Sequence, residues 1–155
     1  MAQLIRSSLR MRPDRIIVGE VRGGEVLDML QAMNTGHSGS MSTGHGNSAE
    51  GMLRRLETMY LMAMQVPVDA VRSQIAEAID VMVHVEKLEG GQRRVVEITE
   101  ILGYRDGNFL MNPLYQRDEE GLLKRTGNRL EGWRKAVLKG GEHLDQLRSL
   151  GLISV

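Results

Sequence analysis

The chain has no cysteine, only 3% aromatic residues and no excess of either charge. Without cysteine it can form no disulfide and perform no thiol chemistry, which fits a reducing compartment. Lysine plus arginine number 20, as do aspartate plus glutamate, so no overall field attracts nucleic acid or an anionic membrane. Because no basic stripe is interleaved with aromatic residues, the sequence disfavours nucleic-acid binding.

Long hydrophobic runs are also missing. The first seven residues, Met1–Ser7, lack the apolar core of a signal peptide. No stretch approaches the roughly 18 apolar residues that a membrane helix needs. We therefore expect a cytoplasmic protein that reaches a membrane only through partners. Its 155 residues allow one modest hydrophobic core.

The segment 13–22 places charged residues directly after an apolar run. The run Ile16–Val18 is typical of a parallel strand covered on both faces, and Gly19 lets the chain turn at its end. Ligands of open α/β sheets bind at the carboxyl ends of strands. There Glu20 can orient a water molecule or help to hold a metal, and Arg22 can bind phosphate. A surface glutamate and arginine after an ordinary core strand would give the same pattern.

A second segment, 35–48, contains two histidines eight positions apart. Nearly every residue between His37 and His45 is glycine, serine or threonine. Small residues allow close backbone approach and supply hydroxyl donors, which suits a strand that faces phosphate. A zinc site is disfavoured, since no cysteine or closely spaced histidine pair supplies further ligands. An exposed glycine- and serine-rich loop is the alternative.

Hydrophobic spacing predicts alternating helices and strands, followed by antiparallel hairpins. The expected helices cover approximately 4–11, 26–36, 52–64 and 67–79, and the expected strands 15–19, 38–43 and 81–85. Gly90-Gly91 and Asp106-Gly107 mark the turns of a meander. The sequence therefore predicts an α/β fold with an antiparallel edge meander.

The composition becomes polar after Tyr115. We expect residues 1–115 to form one domain and residues 116–155 to form a polar linker with a short helical tail. Apolar spacing in that tail predicts two helices, Leu130–Lys139 and Glu142–Leu150.

The segments 13–22 and 35–48 together resemble the ATPases of bacterial type II and type IV secretion systems. The resemblance begins at Arg10, includes Gly19–Glu25 as the Walker B segment and Thr35–Asn47 as the histidine box, and ends near Asn112. It is greatest to the branch that assembles tight-adherence (Flp-type) pili. The implied fold is a RecA-like P-loop NTPase core, and the implied cofactors are ATP and Mg.

The same resemblance implies roles for individual residues. Glu20 takes the position of the catalytic glutamate, which activates the attacking water and can support magnesium; no residue is expected to bind metal otherwise. His37, His45 and Arg22 take positions close to the nucleotide phosphates. The implied partners are other copies in a hexamer, the amino-terminal half of the ATPase, and secretion or pilus platform proteins at the inner face of the cytoplasmic membrane, with no nucleic acid.

The sequence departs from that family in two ways. The phosphate-binding pattern G-x-x-x-x-G-K-[S/T] does not occur, so we expect a carboxyl-terminal half of the core that is inactive alone. Gly44 and Gly46 replace an apolar residue and an alanine, which predicts a looser box by ~0.5 to 1 kcal/mol per glycine. Two other functions stay open: a non-enzymatic subunit-binding or regulatory module of the same fold, and a metal-dependent hydrolase that uses the histidines.

Overall fold

The computed structural model describes residues 1–88, 90–132, 144–149, 151 and 153. The chain forms two compact units, Met1–Ile79 and Asp80–Val155. The first unit contains, in order, α1 (Ala2–Leu9), β1 (Ile17–Val18), α2 (Val26–Asn34), β2 (Met41–Ser42), α3 (Ala49–Ala63) and α4 (Val68–Ala78). This order matches the predicted alternation of helices and strands.

The core of the first unit lies among its helices. The sequence offers Asn47 or Ser48 as the amino-terminal cap of α3, and the structure uses Ser48, whose hydroxyl accepts the backbone N–H of Gly51 at 2.9 Å. The apolar residues of α2, α3 and α4 recur at helical spacing and meet in one core. Its most deeply buried members are Leu30, Leu53, Ile75, Val26 and Val71.

Polar contacts join the helices outside this core. The Arg72 guanidinium of α4 makes two bonds to Glu57 of α3, at 2.8 and 3.2 Å. Arg6 of α1 binds the buried Asp28 of α2, with 2.6 Å between Nε and Oδ1. Asp28 therefore does more than complement the helix dipole, because it joins two helices.

Strands β1 and β2 pair in parallel, with Ile17 opposite Met41 and Val18 opposite Ser42. Ile16 and Val18 are buried, but Ile17 is 70% exposed and its neighbour Met41 is 55% exposed. The expectation of a strand covered on both faces is therefore wrong for this unit. The helices of Met1–Ile79 cover one face of the pair and leave the other apolar face open.

The second unit is an antiparallel meander, as predicted. Its four strands pair in the order β3, β4, β5, β6 and cover Val81–Lys87, Arg93–Arg105, Asn108–Arg117 and Leu123–Arg125. The boundary predicted after residue 115 falls inside β5. The polar residues beyond it form a hairpin turn rather than a linker, because Asp118 accepts the N–H groups of Gly121 at 3.0 Å and Leu122 at 2.9 Å.

A buried carboxylate anchors the chain that follows β6. Glu100 is 3% exposed and accepts the N–H groups of Glu131 at 2.9 Å and Gly132 at 2.6 Å. Asn112 donates to the same carboxylate at 2.9 Å. Most of the predicted helix Leu130–Lys139 lies outside the described residues. A short helix, α5 (Leu144–Ser149), falls within the other predicted tail helix.

Gly44 and Gly46 of the histidine box lie against α3. A Cβ on Gly46 would meet backbone N and Cα of Met52 at 3.1 and 3.2 Å, whereas a Cβ on Gly44 would meet the flexible end of the Met52 side chain. The segment is therefore closely packed at these positions. The loosening expected from glycine is opposed by contacts that only glycine permits.

We expect Gly46→Ala to lower the free energy of unfolding by about 1 kcal/mol. The steric cost of pushing a Cβ against the α3 backbone should exceed the gain from the smaller conformational entropy of the unfolded chain. The matched variant Gly44→Ala should cost at most about half as much, because the Met52 thioether can turn aside. Urea denaturation followed by circular dichroism measures both. An equal or reversed order would contradict the packing described above.

Candidate functional site

Glu20 lies in the loop that follows β1 and forms an ion pair with Arg22. Arg22 Nη2 is 2.6 Å from Glu20 Oε2, and the Arg22 side chain is 73% exposed, against 24% for Glu20. The carboxylate is thus partly enclosed while its cationic partner faces water.

His45 approaches the second oxygen of the same carboxylate from the loop that follows β2. His45 Nε2 is 2.8 Å from Glu20 Oε1, close enough for charge attraction when the imidazole is protonated. No hydrogen bond of acceptable geometry joins the two atoms, and within the described part of the chain this buried oxygen has no hydrogen-bond partner. Glu20 Oε1 is therefore a buried acceptor whose described neighbour is the His45 imidazole.

Two backbone-directed bonds hold the loops side by side. The Thr43 hydroxyl donates to the Gly19 carbonyl at 2.5 Å, and the Val21 N–H donates to the Thr43 carbonyl at 3.1 Å. These bonds extend the parallel pairing beyond the two strands. As a result, residues from two separate loops, Glu20 and His45, come together at the carboxyl edge of the sheet.

Positive charge surrounds the carboxylate. The hydrogen bond from Arg22 holds the pKa of Glu20 below its usual range; the charges of Arg22, His45 and Arg55 act in the same direction, and desolvation opposes them. The pKa of Arg22 is raised by the same pairing. Glu20 consequently stays ionised at neutral pH, as a group that orients water or attracts a hydrated cation must.

The structure does not bring His37 to this group. His37 precedes β2 at the opposite end of the strand pair, where its Nδ1 lies 3.2 Å from the Ala32 carbonyl oxygen. Its own carbonyl accepts the Ser40 hydroxyl at 2.7 Å, and Ser40 Oγ accepts the Ile16 N–H at 2.9 Å. The hydroxyls of Ser40 and Thr43 thus bind the protein's own backbone, rather than facing outward as expected for a phosphate-binding strand.

Two adjacent arginines, Arg54 and Arg55, lie on α3. In the structure Arg54 pairs with Glu50, one turn earlier on α3, at 2.7 Å. The neighbouring Arg55 is the one whose charge acts on Glu20. Its position, three residues after Met52, places it one helical turn beyond the contact with Gly44, which only the structure reveals.

Within residues 1–88, 90–132 and the short stretches resolved beyond them, no three histidine or acidic side chains gather as metal ligands would. Over the same residues, no helix combines the length and the apolar character needed to cross a bilayer.

Comparison with known proteins identifies the family of this chain. The model of the type II/IV secretion system proteins matches residues 1–103. The conjugal transfer protein TrbB of Rhizobium radiobacter is 45% identical over 120 residues, which are 77% of this chain and 36% of that protein. The chain thus spans about a third of the length of this relative.

Solved structures give the same picture. The VirB11 ATPase of the Brucella suis type IV secretion system, solved with sulphate, is 36% identical, with a TM-score of 0.60. The match covers 64% of this chain and 31% of the VirB11 chain. The Legionella pneumophila ATPase DotB covers 96% of this chain and 34% of its own, with a TM-score of 0.51 and 23% identity, a likeness of fold alone. On the match over residues 1–103, the chain belongs to the type II/IV secretion system protein family.

Proposed function

We propose that this chain is the catalytic-glutamate half of a secretion or conjugation ATPase, whose hydrolysis of ATP drives pilus assembly or protein export. One observation supports it most: Glu20 stands ionised between Arg22 and His45, at the carboxyl edge of two parallel strands. In this family position, an ionised carboxylate suits the orientation of a water molecule that attacks phosphorus.

The residues present fit ATP and Mg in part. Magnesium, when bound, neutralises the phosphate charge that develops during transfer. Glu20 supports the hydrated ion and orients the attacking water, while Arg22, His45 and Arg55 supply positive charge toward the phosphates. The chain holds no G-x-x-x-x-G-K-[S/T] sequence, so the cradle for the β- and γ-phosphates has to come from another chain or segment.

His37 has a different place in the proposal. The family resemblance predicts a phosphate contact for it, but its contacts in the structure are with the backbone at the far end of β2. We propose that His37 fixes the turn before β2, and that His45 makes the phosphate contact. The two histidines then differ in function although they lie in one box.

The partners follow from the open strand edges. In the described part of the chain, β1 pairs with β2 alone and β3 pairs with β4 alone. The relative TrbB of Rhizobium radiobacter is about three times as long as its matched region. We propose pairing with an amino-terminal half, within a RecA-like core and a hexamer that works at the inner face of the cytoplasmic membrane through platform proteins.

A non-enzymatic role is the second candidate, favoured by the absent phosphate loop. A chain with this fold and no cradle can bind the subunits of an intact ATPase and regulate them. The two candidates differ in one property: only the first restores hydrolysis when a phosphate-binding half is supplied.

The purified chain should not hydrolyse ATP. Without the cradle, Glu20 has no positioned phosphate on which to direct water, and that positioning accounts for much of the catalysis in phosphoryl transfer. Phosphate release should equal that of buffer. Turnover that disappears in Glu20→Gln would show that the chain is a complete enzyme and would contradict this expectation.

In a complex that supplies the phosphate loop, hydrolysis should depend on Glu20 most. We expect Glu20→Gln to lower kcat by about a thousandfold or more, and His45→Ala by about ten- to a hundredfold, the loss typical of one polarising contact. His37→Ala, the matched control, should cost less than about tenfold. Full activity in Glu20→Gln would remove the catalytic assignment, and a greater loss in His37→Ala than in His45→Ala would reverse the histidine roles.

The isolated chain should associate. Strand β3 exposes Val81, Val83 and Val85 at 45%, 56% and 49%, and the β1–β2 pair exposes Ile17 and Met41. Unpaired edges with apolar side chains recruit further strands. Analytical ultracentrifugation at micromolar concentration should therefore detect dimers or larger species. A monodisperse monomer with a sharp cooperative thermal transition would show that the chain closes its own sheets.

A further inference from the structure

The Glu25 side chain folds back onto the turn that joins the Glu20 loop to α2. Glu25 Oε1 accepts the backbone N–H of Arg22 at 2.6 Å and that of Gly23 at 3.2 Å. The first of these bonds is the largest cause that lowers the pKa of Glu25. The Val26 N–H donates to the Gly23 carbonyl at 3.1 Å, so hydrogen bonds hold both sides of this turn.

The residue held by this clamp is the one that binds Glu20. Arg22 is 73% exposed along its side chain, and an exposed arginine loses considerable rotamer entropy when it is confined to one partner. A fixed main chain lowers that entropic cost because it sets the direction in which the side chain leaves the backbone. The 2.6 Å contact between Arg22 and Glu20 therefore depends on what holds the Arg22 backbone.

We propose that Glu25 is a positioning residue, which clamps the main chain of Arg22 so that its guanidinium is presented to Glu20. The role of Glu20 in hydrolysis rests on the function proposed above. The positioning of Arg22 does not, and it can be measured without any nucleotide.

A purely structural explanation is that Glu25 stabilises α2 through the helix dipole. Glu50 provides the matched control, since it lies in the first turn of α3 and is paired with Arg54 at 2.7 Å. Glu50 has the same charge at the same end of a helix. It makes no bond to the Arg22 or Gly23 backbone among the contacts of the described residues.

The experiment measures the exchange of the Arg22 Nη2 protons, which face Glu20, with water, by NMR of the full 155-residue chain. Four proteins are compared: wild type, Glu25→Ala, Glu25→Gln and Glu50→Ala. Glu25→Ala should speed Arg22 exchange at least about tenfold, the range expected when charge-assisted bonds are lost. Glu25→Gln keeps an amide oxygen in place and should restore most of the protection. Glu50→Ala should leave Arg22 at the wild-type rate.

Two results would overturn the proposal. One is wild-type exchange of Arg22 in Glu25→Ala, and the other is an equal acceleration in Glu50→Ala. If Glu25→Ala does not fold, Glu25→Asp replaces it, because a carboxylate one methylene shorter keeps the charge at α2 but cannot reach both N–H groups. Glu25→Asp should then accelerate Arg22 exchange, and unchanged exchange would be equally decisive against the clamp.

An assay in the complex with a phosphate-binding half separates this inference from the proposed function. Glu25→Ala should lower kcat about tenfold or more and raise the nucleotide KM by a smaller factor, because Arg22 holds Glu20 and also supplies positive charge toward the phosphates. If Arg22 exchange responds as expected but Glu20→Gln remains fully active, the proposed function fails and the clamp stands. If hydrolysis needs Glu20 but Arg22 exchange ignores Glu25, the clamp fails alone.

Discussion

The parallel pairing of β1 and β2 is the constraint on which the candidate site depends. Each strand has only two residues, so strand hydrogen bonds alone hold it weakly. Side chains complete the pairing at both ends: Ser40 receives the Ile16 N–H, and Thr43 donates to the Gly19 carbonyl. These hydroxyls set the separation of the two loops, and that separation brings a histidine of one loop to the glutamate of the other.

Helix α3 then sets the angle of the second loop. Gly44 and Gly46 lie against Met52 so closely that a side chain at either position would have to displace something. A loop that touches a helix along its backbone has little freedom to swing, which limits the positions open to His45. The same helix contributes the charge of Arg55, so one element both restrains the site and makes it more positive.

Much of this arrangement could be predicted from the sequence. The apolar run and the residues after it indicated a strand whose carboxyl end bears Glu20 and Arg22, and the helix start at Asn47 or Ser48 followed from its capping pattern. The placement of His37 and His45 at opposite ends of β2 could not be predicted, because it depends on where a two-residue strand begins and ends. Arg55 was missed for a similar reason: two adjacent arginines look alike until the rotation of α3 is known.

The burial of Ile17 was also misjudged, and the cause is instructive. An apolar run shows that a residue can be covered, but it does not show whether the covering element is present in the same unit. The polar stretch after Tyr115 was predicted to be a linker, but it is ordered structure. Charged residues there form a tight hairpin. Polar residues are common in linkers, but they are also common in turns, where a side chain such as Asp118 accepts backbone N–H groups.

The anchor at Glu100 has a consequence for how this chain can vary during evolution. Two of the donors to the buried carboxylate are main-chain N–H groups, which every residue except proline supplies. The segment that passes over Glu100 is therefore free to change its side chains without losing the contact. Position 132 is the exception, because a Cβ there would lie 2.8 Å from the carboxylate oxygen. Sequence drift in this segment should thus be wide on either side of a fixed glycine.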